Sequence, residues 1–458
     1  MAVDVPSATL FLTLLLREGL WLTGVLVLAN ALDDLAVDLL WPWARVWAAL
    51  RPPPRPARPL RYAILVPAWQ EAQVIGPMLR HLVQALGDRD ARVHVGVYPN
   101  DPATAAAAGA VPDPRIRIVV TDRPGPTTKA DCLNQLWRSV QAAEAAEGRA
   151  VDAIVLHDAE DVVDGAQFDL FDSLLPRHAM VQIPVIPVVE SWGAFVAGHY
   201  LDEFAVTHGR DLVVRSALGA PLPSAGVGTA LRRDAVEALA RASGDPFDPA
   251  SLTEDYELGI RLHALGRPTT FARVRAGGRL VAVRECFPDR LDAAVRQKAR
   301  WLYGIGLAGL DRLGWPQGWV ARWMLWRDRK SLVVAWVAVA GYALLALAAA
   351  ASLLGRSSDL AVDPISLLLQ RDPGLTVLLG LTGVALAWRL LVRFVATWRT
   401  AGFVQGLLSI PRAPIANLVN AVAAVHAIGV YRQAVEHGRP PPWRKTAHRF
   451  PDRQAASA

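Results

Sequence analysis

The sequence predicts an α/β domain built on a mostly parallel sheet and carried by helices that cross a membrane. Three observations lead there. From residue 61 to 160, short apolar runs alternate with helical patterns, as in βαβ units. Residues 331–354 hold 24 positions without a charge, long enough to span a bilayer. The whole chain of 458 residues is 53% hydrophobic and 20% charged, with a mean hydropathy of +0.25. That balance excludes intrinsic disorder, a disulfide scaffold and a simple soluble enzyme.

The first 20 residues are apolar but lack the basic start and cleavage site of a signal peptide. A spanning helix is expected within Thr9–Trp41. Trp41-Pro42-Trp43 and then Arg45, Arg51, Arg55, Arg58 and Arg61 follow it. Aromatics followed by arginines mark a cytoplasmic end. Asp33, Asp34 and Asp38 share a face near that end. They read as carboxylates that pair with arginines or reach the interface, with a role at a conduit mouth as the alternative. Residues 42–60, with Pro52-Pro53-Pro54-Arg55-Pro56, form a stiff linker. Residues 61–330 form the cytoplasmic domain, and 331–398 hold two more spans, the second with Arg389 and Arg393 near its end. In 399–458 the apolar run Thr400–Tyr431 is broken by Gly402, Gly406, Pro411 and Pro414. It is expected as an interfacial or re-entrant helix pair. A fourth span would put the basic tail (Arg432, Arg439, Arg444, Lys445) outside. The net charge of +6 is too small for a nucleic-acid binder. Cys132 and Cys286 are expected as reduced thiols.

Within the domain, Tyr62–Pro67, Val93–Tyr98, Ile116–Val120 and Ala153–His157 read as strands, and about 72–87 and 129–146 as helices. Continuous apolar strands between helices are buried on both faces. Ligands then bind beyond their carboxyl ends, where Glu71, Asp101 and Asp158 stand. Each alone reads as a turn or cap residue; three on one sheet would converge on a cation or polar ligand.

Asp158 and Glu160, one residue apart, can present oxygens to one hard divalent cation, with Asp161 as a further candidate. The ten histidines are scattered, and no phosphate loop or dinucleotide turn is present. Gly226-Val227-Gly228 suggests a close backbone approach. Thr253-Glu254-Asp255 precedes an amphipathic helix, Tyr256–Leu265, and would serve equally as a plain N-cap. Gln297-Lys298-Ala299-Arg300-Trp301 lies on a helix before the membrane, where an interfacial Arg/Trp anchor is the alternative.

Taken in order, these segments resemble glycosyltransferase family two, the group that includes cellulose and hyaluronan synthases. The matching elements are Pro67…Glu71, Asp101, Lys129-Ala130-Asp131-Cys132-Leu133-Asn134, Asp158-Ala159-Glu160-Asp161, Thr253-Glu254-Asp255 and Gln297…Arg300-Trp301. They are separated by 57 residues (Asp101 to Asp158), 97 (to Asp255) and 45 (to Arg300). Finer wording is similar to the NfrB-like inner-membrane transferases, the bacteriophage adsorption protein B family. It includes Tyr98-Pro99-Asn100-Asp101, Tyr200-Leu201-Asp202-Glu203-Phe204, Pro223–Thr229 and the tail Trp443–His448.

The resemblance implies a GT-A fold and inverting transfer from a UDP-sugar, with Mg²⁺ or Mn²⁺. The donor would be held by Pro67, Glu71, Asp101, Lys129, Asn134, Asp158, Gln297 and Arg300. Asp158 with Glu160 or Asp161 would bind the metal. Asp255, with Glu254 beside it, would act as base, and Arg300 would neutralise the leaving diphosphate. Trp301, Thr253 and Gly228 would face the acceptor. Two departures stand out: Gln70 replaces the usual Asn, and the metal motif is D-x-E-D rather than D-x-D. Longer members carry a cyclic-di-GMP-binding domain; about 60 residues follow the last expected span here, which predicts none.

The implied setting is the bacterial inner membrane, with the acceptor a glycan or lipid, an export partner or a homodimer completing a pore, and no nucleic acid. Processive polymerisation is favoured over transfer of one sugar to a polyprenyl phosphate, because a stacked terminal sugar can be held between turnovers. A non-catalytic envelope scaffold or phage-receptor component is the reading from another class. It would not need the base, the metal pair and the arginine together.

Overall fold

The computed structural model describes residues 5–357, 364–438 and 448–451. The main strands are β1 (Tyr62–Pro67), β2 (Ala91–Val97), β3 (Ile116–Val120), β4 (Ala153–Leu156), β5 (Met180–Gln182), β6 (Val185–Val188), β7 (Thr229–Arg232) and β8 (Thr269–Phe271), with three further short ones at Arg275–Ala276, Arg279–Leu280 and Val283–Cys286. A seven-stranded sheet runs β3-β2-β1-β4-β7-β5-β8. β1 is parallel to β2 and β4, and β2 to β3. β7 runs antiparallel to both its neighbours. The pleat explains why β1 reads as an unbroken apolar run. Tyr62, Ile64 and Val66 enter one core and Ala63 and Leu65 the other, so no face is left for water.

The helices that matter for the site are α1 (Val5–Ala49), α2 (Ile75–Leu86), α3 (Pro102–Gly109), α4 (Lys129–Glu147), α5 (Phe195–Val206), α6 (Glu254–Ala264) and α7 (Leu291–Leu302). α4 starts where the Thr128 side chain accepts the Asp131 N–H, and it ends at left-handed Gly148. The expected strands and helices are present, with ends shifted by up to three residues.

Among the described residues, four helices are long and apolar enough to cross a membrane: Leu12–Ala49 of α1, Ser331–Leu353 within α8 (Ser331–Ser357), α9 (Pro373–Ala401) and α10 (Phe403–His437). Two expectations are corrected. α1 does not end at Trp41 but continues through Pro42 to Ala49, which shortens the linker. Pro42 removes one backbone hydrogen bond, while buried Ala44 and half-buried Trp41 keep that turn packed. The pair expected over Thr400–Tyr431 is one 35-residue helix, with Pro411 and Pro414 inside it. The break falls earlier, at Gly402, whose φ of 89° suits only glycine. The tail residues Arg439, Trp443, Arg444, Lys445, Thr446 and Ala447 lie outside the described residues.

Ion pairs join the helices to the domain. Asp33 takes Lys330 at 2.5 Å and also Arg327; Asp34 takes Arg327 at 2.9 Å and Arg389 at 3.3 Å. Asp38 takes Arg210. The pairing role expected of these three carboxylates is what the structure has. Asp202 on α5 is fully buried and bonds Arg393 of α9 at 3.0 Å and Arg412 of α10 at 2.9 Å. Glu203 pairs with Lys298 and accepts from Asn420 at 3.0 Å. The segment Tyr200–Phe204 therefore docks the domain on α9 and α10.

Candidate active site

Beyond the carboxyl ends of β1 and β4 lies a cleft of about 1090 Å³, solvent-open space included. Eleven of the expected residues line it: Pro67, Glu71, Lys129, Asp158, Glu160, Thr253, Glu254, Asp255, Gln297, Arg300 and Trp301. The sheet supplies Pro67 at the end of β1, and Glu71, Asp158 and Glu160 from the loops after β1 and β4. Lys129 is the first residue of α4, and Glu254 and Asp255 open α6. Gln297, Arg300 and Trp301 lie on α7.

The carboxylate-rich floor is tightly held. Lys129 Nζ lies 2.6 Å from Asp158 Oδ1. Burial opposes its charge, but Asp158, Asp255 and Glu254 outweigh that and raise its pKa. Burial raises the pKa of Asp255, with Lys129 pulling the other way. Burial and then Asp255 push Glu254 up to about 8. Glu160 is also pushed up to about 8; burial dominates, His448 opposes it, and Asp158 and Glu71 add to it.

The start of α6 is not a plain cap. Thr253 occupies the N-cap position but makes no capping hydrogen bond, and its Oγ1 is buried without a partner. Ser251 Oγ accepts the Thr253 N–H at 3.1 Å and donates to Glu257 at 2.7 Å, and Arg312 pairs with Glu257. These bonds fix the turn that presents Glu254 and Asp255.

Five of the fifteen buried, unpartnered side-chain polar atoms among the described residues belong to this cleft: Glu160 Oε2, Thr253 Oγ1, Glu254 Oε1, Gln297 Oε1 and Arg300 Nε. Buried polar groups in folded proteins are normally satisfied. Such a concentration fits a polar ligand.

Four expected residues do not face the cleft. Asp101 caps α3 through the Thr104 N–H and accepts the Gln70 N–H at 2.6 Å, so its carboxylate is spent on the loop after β1. Gln70 is left-handed there, with φ 56°, a conformation that Asn tolerates better. Asn134 bonds the Phe247 backbone twice, at 2.7 and 3.1 Å. Asp161 accepts from the Asp158 N–H at 3.1 Å and holds His157 Nδ1 at 2.6 Å, so Glu160, not Asp161, stands beside Asp158 in the cleft. Gly228 packs on Ile183 and Val283. The close approach is made by Gly226, where a Cβ would overlap Asp255 Oδ2.

Sequence reasoning missed two residues. Glu285, on the short strand Val283–Cys286 that pairs with β6, lines the cleft, and burial with Asp161, Glu160 and Asp158 nearby holds its pKa well above the usual range. A lone acid inside Leu280-Val281-Ala282-Val283 and Cys286-Phe287 was its only signal. His448, quoted for the resemblance but given no role, has its Nδ1 2.7 Å from Glu71 Oε1 and 3.2 Å from Glu160 Oε1. Donor atoms of Glu71, Glu160 and His448 lie within 4.8 Å of one another. Two carboxylates and an imidazole around an unpartnered Glu160 oxygen fit a divalent cation.

Trp301 lies edge-on to Tyr200 and Phe287 (6.0 and 6.3 Å between centroids), with Lys298 Nζ 5.3 Å from its ring. Phe204 and Phe287 also line the cleft, which gives it one aromatic wall.

With this geometry in hand, comparison with known proteins is direct. Residues 153–354 match the family described as Glycosyl transferase family group 2. The resemblance to family-two glycosyltransferases holds. Bacteriophage adsorption protein B of Escherichia coli (strain K12) is 36% identical over 477 residues, covering 94% of this chain and 63% of that protein. Bacteriophage N4 adsorption protein B of Escherichia coli O157:H7 matches to the same extent. The chain thus spans 63% of the length of these relatives. In fold, it is similar to the mannosyltransferase PcManGT from Pyrobaculum calidifontis, solved with GDP-Man and Mn²⁺. The TM-score is 0.54 at 18% identity, over 89% of this chain and 99% of that one. The fold class is GT-A with membrane-type helices.

Proposed function

We propose that the protein is a metal-dependent, inverting glycosyltransferase that uses a UDP-sugar at the cytoplasmic face of a bacterial inner membrane. In this reading it extends a cell-surface or exported glycan. The observation that carries the proposal is the set of five unpartnered buried polar atoms in one cleft that carboxylates and Arg300 line together.

Asp255 takes the proton of the acceptor hydroxyl as that oxygen attacks the anomeric carbon. Its raised pKa makes it a better base than an exposed aspartate. The bond to the diphosphate breaks as the new glycosidic bond forms on the opposite face. Arg300 and Lys129 place positive charge where the departing diphosphate gains negative charge. Asp158 and Glu160, with Glu71 and His448 beside them, would hold a divalent cation, which supplies further neutralisation of the diphosphate. Trp301 and its aromatic neighbours offer the acceptor sugar an apolar face.

The test is UDP release by the protein purified in nanodiscs, across a panel of UDP-sugars with GDP-mannose as control, with Mg²⁺ or Mn²⁺. Release with one donor, lost in Asp158→Ala and Asp255→Asn, supports the proposal and names the sugar. A folded sample that neither releases nor binds UDP overturns it. Variants inactive in transfer that retain an envelope role would reveal a scaffold function as well.

A further inference from the structure

Away from the cleft, arginines from three distant segments meet at one place. Arg45 near the end of α1 lies over the Trp41 ring at 5.1 Å, and Arg399 in the last turn of α9 lies 6.0 Å from the same ring. Trp41 is held by its indole N–H, which donates to the Gly209 carbonyl at 2.9 Å. Arg273, in the loop after β8, completes the group. It is half-buried, and its Nε is buried without a partner. Burial and then the nearby Arg275, Arg45 and Arg399 push its pKa down, so these cations face one another with no acid between them. Among the described residues no carboxylate pairs with Arg45, Arg273 or Arg399. This contrasts with Arg210, Arg327, Arg389, Arg393 and Arg412 nearby, all of which have aspartate partners.

The depth of the group is informative. At the other end of the helices Arg17 bonds Asp372 at 2.8 Å, with Trp21 at 3.1 Å from the same carboxylate. Arg45 is 28 residues from Arg17, and Arg399 is 27 from Asp372. At 1.5 Å per residue, each helix puts about 40 Å between the two levels. A bilayer with its headgroups is about 40–45 Å thick. The paired level and the arginine level thus match the two headgroup layers.

We propose that Arg45, Arg273 and Arg399 form a binding site for a phosphate anion at the inner headgroup layer, occupied by the phosphate of an anionic lipid. Guanidinium forks suit phosphate oxygens, and the Trp41 ring provides an interfacial anchor. The site does not depend on which sugar, if any, the cleft transfers.

The test is thermal unfolding of the detergent-purified full chain with added short-chain phosphatidylglycerol, phosphatidylcholine or inorganic phosphate. A ligand that binds the folded state raises the Tm with its concentration. The expected result is a rise with phosphatidylglycerol that the variant R45Q/R273Q/R399Q loses. The control R80Q/R177Q/R241Q, which removes the same charge from exposed positions, should keep it. If millimolar inorganic phosphate gives the same rise, the anion site stands and the lipid source is overturned. A rise of equal size in both variants, or none with any probe, overturns the proposal. Should the triple variant fail to fold, the single changes R45Q and R399Q, both at exposed side chains, should each lose part of the shift. Native mass spectrometry should then show fewer retained lipids per chain.

Discussion

His448 Nδ1 lies 2.7 Å from Glu71 Oε1 although 377 residues separate them. His448 therefore lines the cleft, beside the carboxylates that would hold a cation. Because His448 also sits 3.2 Å from Glu160, His448→Ala should raise the Mn²⁺ concentration for half-maximal UDP release by about 10–100-fold, with the rate at saturating metal nearly kept. An unchanged metal titration would remove the tail from the site.

Asp255→Asn should lower transfer by about 10²–10⁴-fold. UDP affinity, measured by calorimetry, should stay close to that of the unaltered protein, since in the proposed reaction Asp255 acts on the acceptor side. Loss of both together would mean that Asp255 holds the donor instead.

Gly226→Ala combines two penalties, a φ of 78° and a Cβ that overlaps Asp255 Oδ2. It should cut kcat well beyond its effect on Tm. Gly228→Ala carries the same pair, a φ of 57° and a Cβ 2.8 Å from Ile183 and Val283, but away from Asp255, so it should cost stability instead, by about 1–3 kcal/mol. Measuring kcat and Tm for both variants separates the base's neighbour from a packing position.

Buried histidines, His94 and His208 among them, should weaken the fold in acid. Burial, aided by Arg117 and Arg92, pushes His94 down to about 4, and burial pushes His208 down to about 3. His208 must stay neutral at Nδ1 to accept the Val185 N–H at 2.9 Å. Both pKa values fall on folding, so their stability is fully present above about pH 6.5 and is lost as pH drops toward 4 and 3. For His94 the loss amounts to about 3 kcal/mol at most. Glu160 and Glu254, raised to about 8, slope the other way as pH falls, so the check is the difference between two proteins. Relative to the unaltered chain, His94→Gln should gain Tm as pH falls from 7 to 4. A difference that does not change with pH would contradict the assignment.

The central strands were legible because they are buried on both faces, and Tyr62–Pro67 begins and ends where its apolar run does. Residues whose chemistry depends on their chain neighbours were also legible, as Asp158 with Glu160 and Arg300 with Trp301. What misled was direction. Asp101, Asn134 and Asp161 have the right type and spacing, yet each turns its polar atoms to backbone or to His157. Spacing alone does not say which way a loop faces. Proline marked a break in Thr400–Tyr431 that packing overrode, since Arg412 between the two prolines is buried against Asp202. His448 lay beyond reach because only the folded chain brings its tail back to Glu71.

That returning tail constrains how the chain threads a bilayer. His448 and the cleft share one side of any membrane, so the path from Trp301 to His448 must cross it an even number of times. Three helices on that path, α8, α9 and α10, are long and apolar enough to cross. Parity admits two of them, not all three. Arg412 and Asn420 of α10 both bond α5, as do Arg393 and Thr397 near the end of α9. In the proposed membrane setting, α8 and α9 going out and back with α10 on the domain's side would meet that parity.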